Sequence, residues 1–246
     1  MISFSAEQRF VVTGASSGIG ESVALLLNRL GATVIGVGRN SERLEAMKAK
    51  AERPESVFIE SKDLTEEIEN LPAYIKTLKD KYGKFQGLAY CAGISYLKPF
   101  KIWEKEDAQK AFDINYFAPL SVMSGFADKR ICNGKGSACV FISSAAAVLS
   151  DKGQTIYAGT KAALSASVRV IAKELSAQGI RANCILPTII KTPMSMNDWE
   201  YAEEQLKRYP MGFGEVSDVA NMTAFLLSDK AKWITGQNYI IDCGSF

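Results

Sequence analysis

The sequence predicts an α/β fold, a doubly wound, seven-stranded parallel sheet with helices on both faces, formed as one domain over residues 1–246. Three observations predict it. Short β-rich apolar runs alternate with helix-period segments along the whole chain, and parallel strands need crossover connections of that kind. The 246 residues sit near the size at which a single core stops growing. A glycine-rich turn joins the first apolar run to the first helical pattern, as in a βαβ unit.

RFVVTG (9–14) reads as the first strand. Residues 18–30 follow as a helix with Val23, Leu26, Leu27 and Leu30 on one face, stopped by Gly31. TVIGVG (33–38) is the second strand. Ser41 is expected to cap a charged amphipathic helix that runs to about Arg53 and ends before Pro54. SVFIES (56–61) is the third strand, and the helix after it reaches Tyr82, where Gly83 stops it. The remaining elements are strand 87–93, a long helical region over 104–130, strand 137–144, helix 157–177, strand 181–187, helices near 198–209 and over 217–228, and strand 238–242. Nothing along the chain reads as a repeat, a low-complexity tract or a linker that would divide it.

Composition excludes several function classes. With 29 basic and 27 acidic residues the net charge is +2, too small for a nucleic-acid or anionic-membrane footprint. Apolar runs are broken well short of the ~18 residues a membrane span needs. MISFSAEQRF lacks the basic and apolar regions of a secretion signal. The five cysteines form no Cys-x-x-Cys pair, and buried free thiols in a reducing, cytoplasmic setting are the expectation. The chain has no histidine, so Ser-His-Asp hydrolysis and histidine metal sites are out; an acid or base must be Tyr, Lys, Cys, Asp or Glu.

TGASSGIG places Gly14, Gly18 and Gly20 in the first strand-to-helix turn. Glycine permits a tight bend and a close backbone approach to a pyrophosphate, and the helix N-terminus favours that charge. A plain structural turn is the alternative. The second strand ends in Gly38-Arg39-Asn40-Ser41 and not in an acid. A carboxylate there would bind adenosine ribose hydroxyls; Arg39 instead can pair with a 2′-phosphate, and Ser41 can add a hydrogen bond. NADP(H) is therefore favoured over NAD(H), with a solvated loop charge as the alternative for Arg39. Asp63 and Leu64 follow the third strand, where the adenine would lie.

YAGTK sets Tyr157 and Lys161 four residues apart at the head of a helix, on one face. A phenol near pKa ~10 is a poor proton shuttle at neutral pH; an ammonium one turn away is expected to lower it. Ser144 ends the fifth strand, thirteen residues earlier, so both hydroxyls can flank one carbonyl. Asn115 sits inside the long helical region, where its amide is expected to hold a water against Lys161, and Pro119 is expected to free a backbone carbonyl.

Together these motifs resemble the short-chain dehydrogenase/reductase family in its compact form, over nearly the whole chain, and with it a Rossmann fold. TGASSGIG, with Ser16, Ser17 and Ile19, is similar to the family's cofactor turn; Cys91-Ala92-Gly93 to its Asn-Asn-Ala-Gly strand end; ISS (142–144) and YAGTK to its catalytic serine and Tyr-x3-Lys; and LPTIIKTPM (186–194) to its nicotinamide segment. The resemblance implies an acid at Tyr157, a carbonyl-orienting Ser144, a ribose-binding Lys161 and an Asn115–water relay, with Pro187, Ile189 and Thr192 around the nicotinamide. It implies an NADPH-dependent carbonyl reductase for a small-molecule ketone or alcohol, assembled as a homodimer or homotetramer through the two long helices and the last strand. Phe117, Val122, Phe126, Leu164, Val168 and Ile171 can face a partner helix or the chain's own sheet. Residues 194–212, with Met194, Met196, Trp199 and Tyr201, are expected to form a lid over the substrate, an ordinary amphipathic helix being the alternative. A 3-oxoacyl-(acyl-carrier-protein) reductase is a narrower reading, with Lys135 and the position of Gln178 at the site mouth for an acidic carrier. A silent nucleotide-binding scaffold is the reading from another class. Tyr90-Cys91, Thr188 and Cys243 depart from the family pattern, replacing an Asn pair and two glycines.

Overall fold

The computed structural model describes residues 1–195 and 205–245. Seven strands run β1 (Arg9–Thr13), β2 (Thr33–Gly38), β3 (Val57–Ser61), β4 (Gly87–Tyr90), β5 (Ala138–Ile142), β6 (Arg181–Pro187) and β7 (Asn238–Ile241). They form one sheet in the order β3-β2-β1-β4-β5-β6-β7, and all pairs are parallel. Helices α1 (Gly18–Arg29), α2 (Ser41–Ala49), α3 (Leu71–Tyr82), α4 (Lys105–Phe112), α5 (Ala118–Phe126), α6 (Thr155–Ser176) and α7 (Val216–Leu227) make the crossovers.

The inner strands are apolar on both faces because both faces are covered. Every residue of β2, β4, β5 and β6 is buried, whereas the edge strands β3 and β7 are partly exposed. One core packs Leu71, Ile75, Val122, Phe126, Leu164 and Val168 against one face of the sheet. The other packs Val23, Leu27, Leu44, Val219 and Leu227 against the opposite face. Val122, Phe126, Leu164 and Val168 therefore serve the chain's own core, while Phe117 is exposed.

Several elements differ from the sequence expectation. The cap of α2 is Asn40, whose side chain accepts from the Arg43 N–H at 2.8 Å; Ser41 is the first helical residue. The helix stops at Ala49 because Arg53 turns back to α1, donating to the carbonyls of Asn28 and Ala32. The region 104–130 is not one helix: a π turn over Asp113–Phe117 separates α4 from α5. Pro119, in the first turn of α5, has no N–H for the preceding carbonyls. Of the cysteines, Cys132, Cys139 and Cys184 are buried, but Cys91 and Cys243 are partly exposed; all five are free thiols. The expected helix near 198–209 falls largely outside the described residues.

Cys243 has φ 51°, a left-handed conformation that glycine adopts without strain. Cys243→Gly is expected to stabilise the protein by about 1 kcal/mol and raise Tm by roughly 2–4 °C. A calorimetric scan showing an unchanged or lower Tm contradicts this.

Candidate active site

Strand direction decides where the site can form. The chain leaves β3 at one edge of the sheet and re-enters at β4 beside β1, so the crevice between the carboxyl ends of β1 and β4 is the switch point where open α/β sheets bind ligands. Gly14 follows β1 there with φ +67°, and a Cβ on it would stand 2.9 Å from the Ala92 nitrogen. A Cβ on Gly20 would collide with the Gly14 carbonyl. Thr13 ties the two strand ends together, its hydroxyl accepting from the Cys91 and Ala92 N–H groups at 3.1 and 3.2 Å. The result is a bare backbone cradle at the N-terminus of α1, where Ser17 is the cap residue, suited to a pyrophosphate.

The adenosine end is also assembled. Ser16 lies against Gly38, where a Cβ would meet its hydroxyl at 3.2 Å. Arg39 is exposed and makes a long 3.5 Å contact with Asp63. Burial would raise the Asp63 carboxyl, but bonds from Thr65 and the Arg39 charge outweigh it and hold it below its ordinary range. Leu64 is buried in the core, so only its backbone can face a nucleotide.

Beyond the cradle a cavity of about 310 Å³ opens over the ends of β4, β5 and β6, lined by Ile19, Cys91, Gly93, Ser144, Tyr157, Lys161, Pro187, Ile189 and Thr192 among others. Thr192 leans over Gly18, so the segment after β6 meets the glycine turn. The Ser144 hydroxyl accepts from the Ala146 N–H at 3.1 Å and keeps its own proton to donate. Lys161 is 5% exposed and donates to the Ile142 carbonyl at 3.0 Å. An ammonium has three donors, which leaves further N–H groups for a ligand. Its Nζ lies 5.8 Å from the centre of the Tyr157 ring. Burial pulls the Lys161 ammonium down to about 8. Burial also pushes the Tyr157 phenol up, and the Ser144 hydroxyl offsets this in part. The expected lowering of Tyr157 is therefore not present in the free protein: loss of water outweighs the Ser144 hydrogen bond. Cys91 is likewise raised by burial, to about 12, so its thiol stays protonated.

The Asn115 amide clasps Ile94, accepting from the N–H and donating to the carbonyl, both at 3.0 Å, and donates to Thr160 at 3.2 Å. Pro119, four residues on, has no N–H to donate to the Asn115 backbone carbonyl. The Tyr90 hydroxyl, whose role sequence reasoning missed, donates to the Ile114 carbonyl at 3.2 Å and holds the π turn. Gly93 is packed so closely that a Cβ would stand 2.9 Å from Asn115 Oδ1 and 3.4 Å from Lys161 Nζ. Lys135 precedes β5, and Gln178 precedes β6. Both therefore lie at the opposite edge of the sheet from Ser144 and cannot frame this mouth within one chain. Of the expected lid, Met194, Ser195, Gln205 and Tyr209 line the cavity; Met196, Trp199 and Tyr201 lie outside the described residues.

A family model described as enoyl-(acyl carrier protein) reductase matches residues 14–245. The chain is 32% identical over 241 residues to the D-erythrulose reductase of Gallus gallus, covering 96% of this chain and 95% of that one. It is 32% identical to the L-xylulose reductase of Mus musculus, covering 97% and 96%. It is also 32% identical to the 3-oxoacyl-(acyl-carrier-protein) reductase FabG of Thermotoga maritima, covering 95% and 96%. Among solved structures, a short-chain type dehydrogenase/reductase from Mycobacterium ulcerans superposes with a TM-score of 0.90 at 31% identity, covering 99% of this chain and 91% of that one.

The folded pKa of Lys161, about 8, lies below its ordinary value of 10.5. Between those values the unfolded chain binds more protons, so stability rises with pH through that window and the cost of burial is full below it. Lys161→Met is expected to stabilise the free protein by about 1–3 kcal/mol at pH 7 and by much less at pH 10. Paired thermal scans in which the variant is less stable at pH 7 contradict this.

Proposed function

The chain belongs to the short-chain dehydrogenase/reductase family of NAD(P)-dependent oxidoreductases, and from that premise we propose that it reduces a ketone or aldehyde to an alcohol with NADPH, Tyr157 acting as the acid. The convergence of Tyr157, Ser144 and Lys161 beside the glycine cradle carries this reading. When held in the cradle, NADPH would supply the hydride for the carbonyl carbon, with NADP+ as the oxidised product. The carbonyl oxygen accepts from Ser144 and takes the Tyr157 proton as the C=O π bond opens, so charge is met by donors already in place. Lys161 turns its remaining N–H groups to the nicotinamide ribose and favours the phenolate left on Tyr157. The Asn115 carbonyl, which receives no N–H from Pro119, holds the water that returns a proton from solvent.

The cradle of Gly14, Ser16, Ser17, Gly18, Ile19 and Gly20 takes the pyrophosphate. Arg39, Asn40 and Ser41 surround the 2′-phosphate, and exposed Arg39 can leave its long contact with half-buried Asp63 at little cost. Asp63 and the Leu64 backbone face the adenine, Cys91, Ala92 and Gly93 floor the ribose side, and Pro187, Ile189 and Thr192 hold the nicotinamide. Similarity to FabG favours a 3-oxoacyl carrier substrate as second reading. Phe117, Val170, Trp233 and Ile240 are exposed apolar residues on the helix face and the β7 edge, which supports a homodimer or homotetramer; no helix among the described residues is long and apolar enough to cross a membrane, and we place the protein in the cytoplasm.

Tyr157→Phe is expected to lower kcat roughly a hundred- to ten-thousand-fold while NADPH still binds by fluorescence; near wild-type turnover overturns the assignment. Arg39→Asp is expected to weaken NADPH relative to NADH about tenfold or more, read as the ratio of the two Kd values. An unchanged ratio removes Arg39 from the site.

A further inference from the structure

The cavity over Ser144 and Tyr157 has a definite chemistry of its own. Its walls beyond those two hydroxyls are Ile94 and Leu97 after β4, Ala146 and Leu149 after β5, and Met194 and Tyr209 after β6. Polar residues also line it, and several of them are bonded within the protein. Asp151 pairs with Arg208 at 2.7 Å across the mouth, and Arg208 donates to the Gln205 side-chain oxygen at 3.0 Å. The Gln154 side-chain oxygen accepts from the Asp151 N–H at 2.9 Å. Thr188 donates to the Ile241 carbonyl at 3.3 Å. The Thr192 and Ser195 hydroxyls meet at 3.1 Å, and Ser195 also donates to the Ile190 carbonyl.

We propose that the substrate is an apolar carbonyl compound, a ketone or aldehyde bearing alkyl or aryl groups, and not a polyhydroxy ketone. A polyol must leave water, and each of its hydroxyls needs a partner inside the site. Several of the wall groups just named already spend bonds within the protein, so a sugar would have to compete with those bonds. An alkyl chain asks for nothing except contact, and Leu97, Leu149 and Met194 supply it. Leu97 and Met194 are themselves 54% and 52% exposed, so covering them with substrate buries apolar surface on both partners. The Asp151–Arg208 pair closes the rim without offering the interior a charge. The inference rests on the carbonyl-reductase reading and separates this chain from relatives whose names are sugar reductases.

The test sets a series of methyl ketones of rising chain length against erythrulose and xylulose, with NADPH oxidation followed for each. kcat/KM is expected to rise about two- to fourfold per methylene over the first few carbons. The polyhydroxy ketones are expected to fall at least tenfold below alkyl ketones of equal carbon number. Leu149→Asn is expected to cost the longest ketone several-fold more than the shortest. Calorimetry of the matching 2-alkanols with NADPH-loaded protein, a pair that cannot exchange a hydride, gives a readout free of turnover, and Kd is expected to tighten along the series. Equal or faster turnover of the polyhydroxy ketones, or a Kd indifferent to chain length, overturns the proposal. Alkanols that tighten with length while no carbonyl oxidises NADPH would leave this substrate class standing and defeat the reductase reading instead.

Discussion

An ammonium held away from water is the constraint on which the rest of the site depends. Lys161, on α6, reaches the end of β5, where the Ile142 carbonyl is its bonded acceptor, and burial has already drawn its pKa down to about 8. A group in that state is costly unless a ligand completes its bonding. The cost explains its surroundings. Gly93 must lack a side chain to leave room for Nζ and for the Asn115 amide, and α6 must begin near Thr155 to put Tyr157 one turn before the amine.

The fold supplies this arrangement because a parallel sheet brings all its carboxyl ends to one edge. Ser144 after β5, Gly93 after β4, Gly14 after β1 and Thr192 after β6 are far apart in sequence and adjacent in space. The same geometry separates what does not belong. Lys135 and Gln178, read as mouth residues, precede β5 and β6 and so fall at the other edge. The strand order alone would have excluded them, had the direction of each strand been applied to them.

Much of the architecture was legible because its signals are local. The run at 181–187 is wholly β6, Gly83 ends α3 with positive φ, and Tyr157 and Lys161 share a helix face through their spacing. What was not legible depends on partners distant in sequence. The π turn at Asp113–Phe117 is held by Tyr90 and by the clasp between Asn115 and Ile94, contacts that no helical period encodes. The cap at Asn40 and not Ser41 turns on one residue of backbone conformation. The acidity of Tyr157 depends on the depth of its hydroxyl, which burial sets and spacing does not. Cys243 looked like a loss of glycine in a pattern, and its left-handed backbone shows what that glycine would have relieved.

The most direct test of the account is the titration of Lys161 itself, followed by NMR of its side chain with isotope label, in the free protein and with NADPH added. A midpoint near 8 in the free protein, with the resonance shifting when NADPH is added, is the predicted result. A midpoint at the ordinary lysine value of 10.5, or a resonance indifferent to the dinucleotide, would contradict the claim that a desolvated ammonium organises this site.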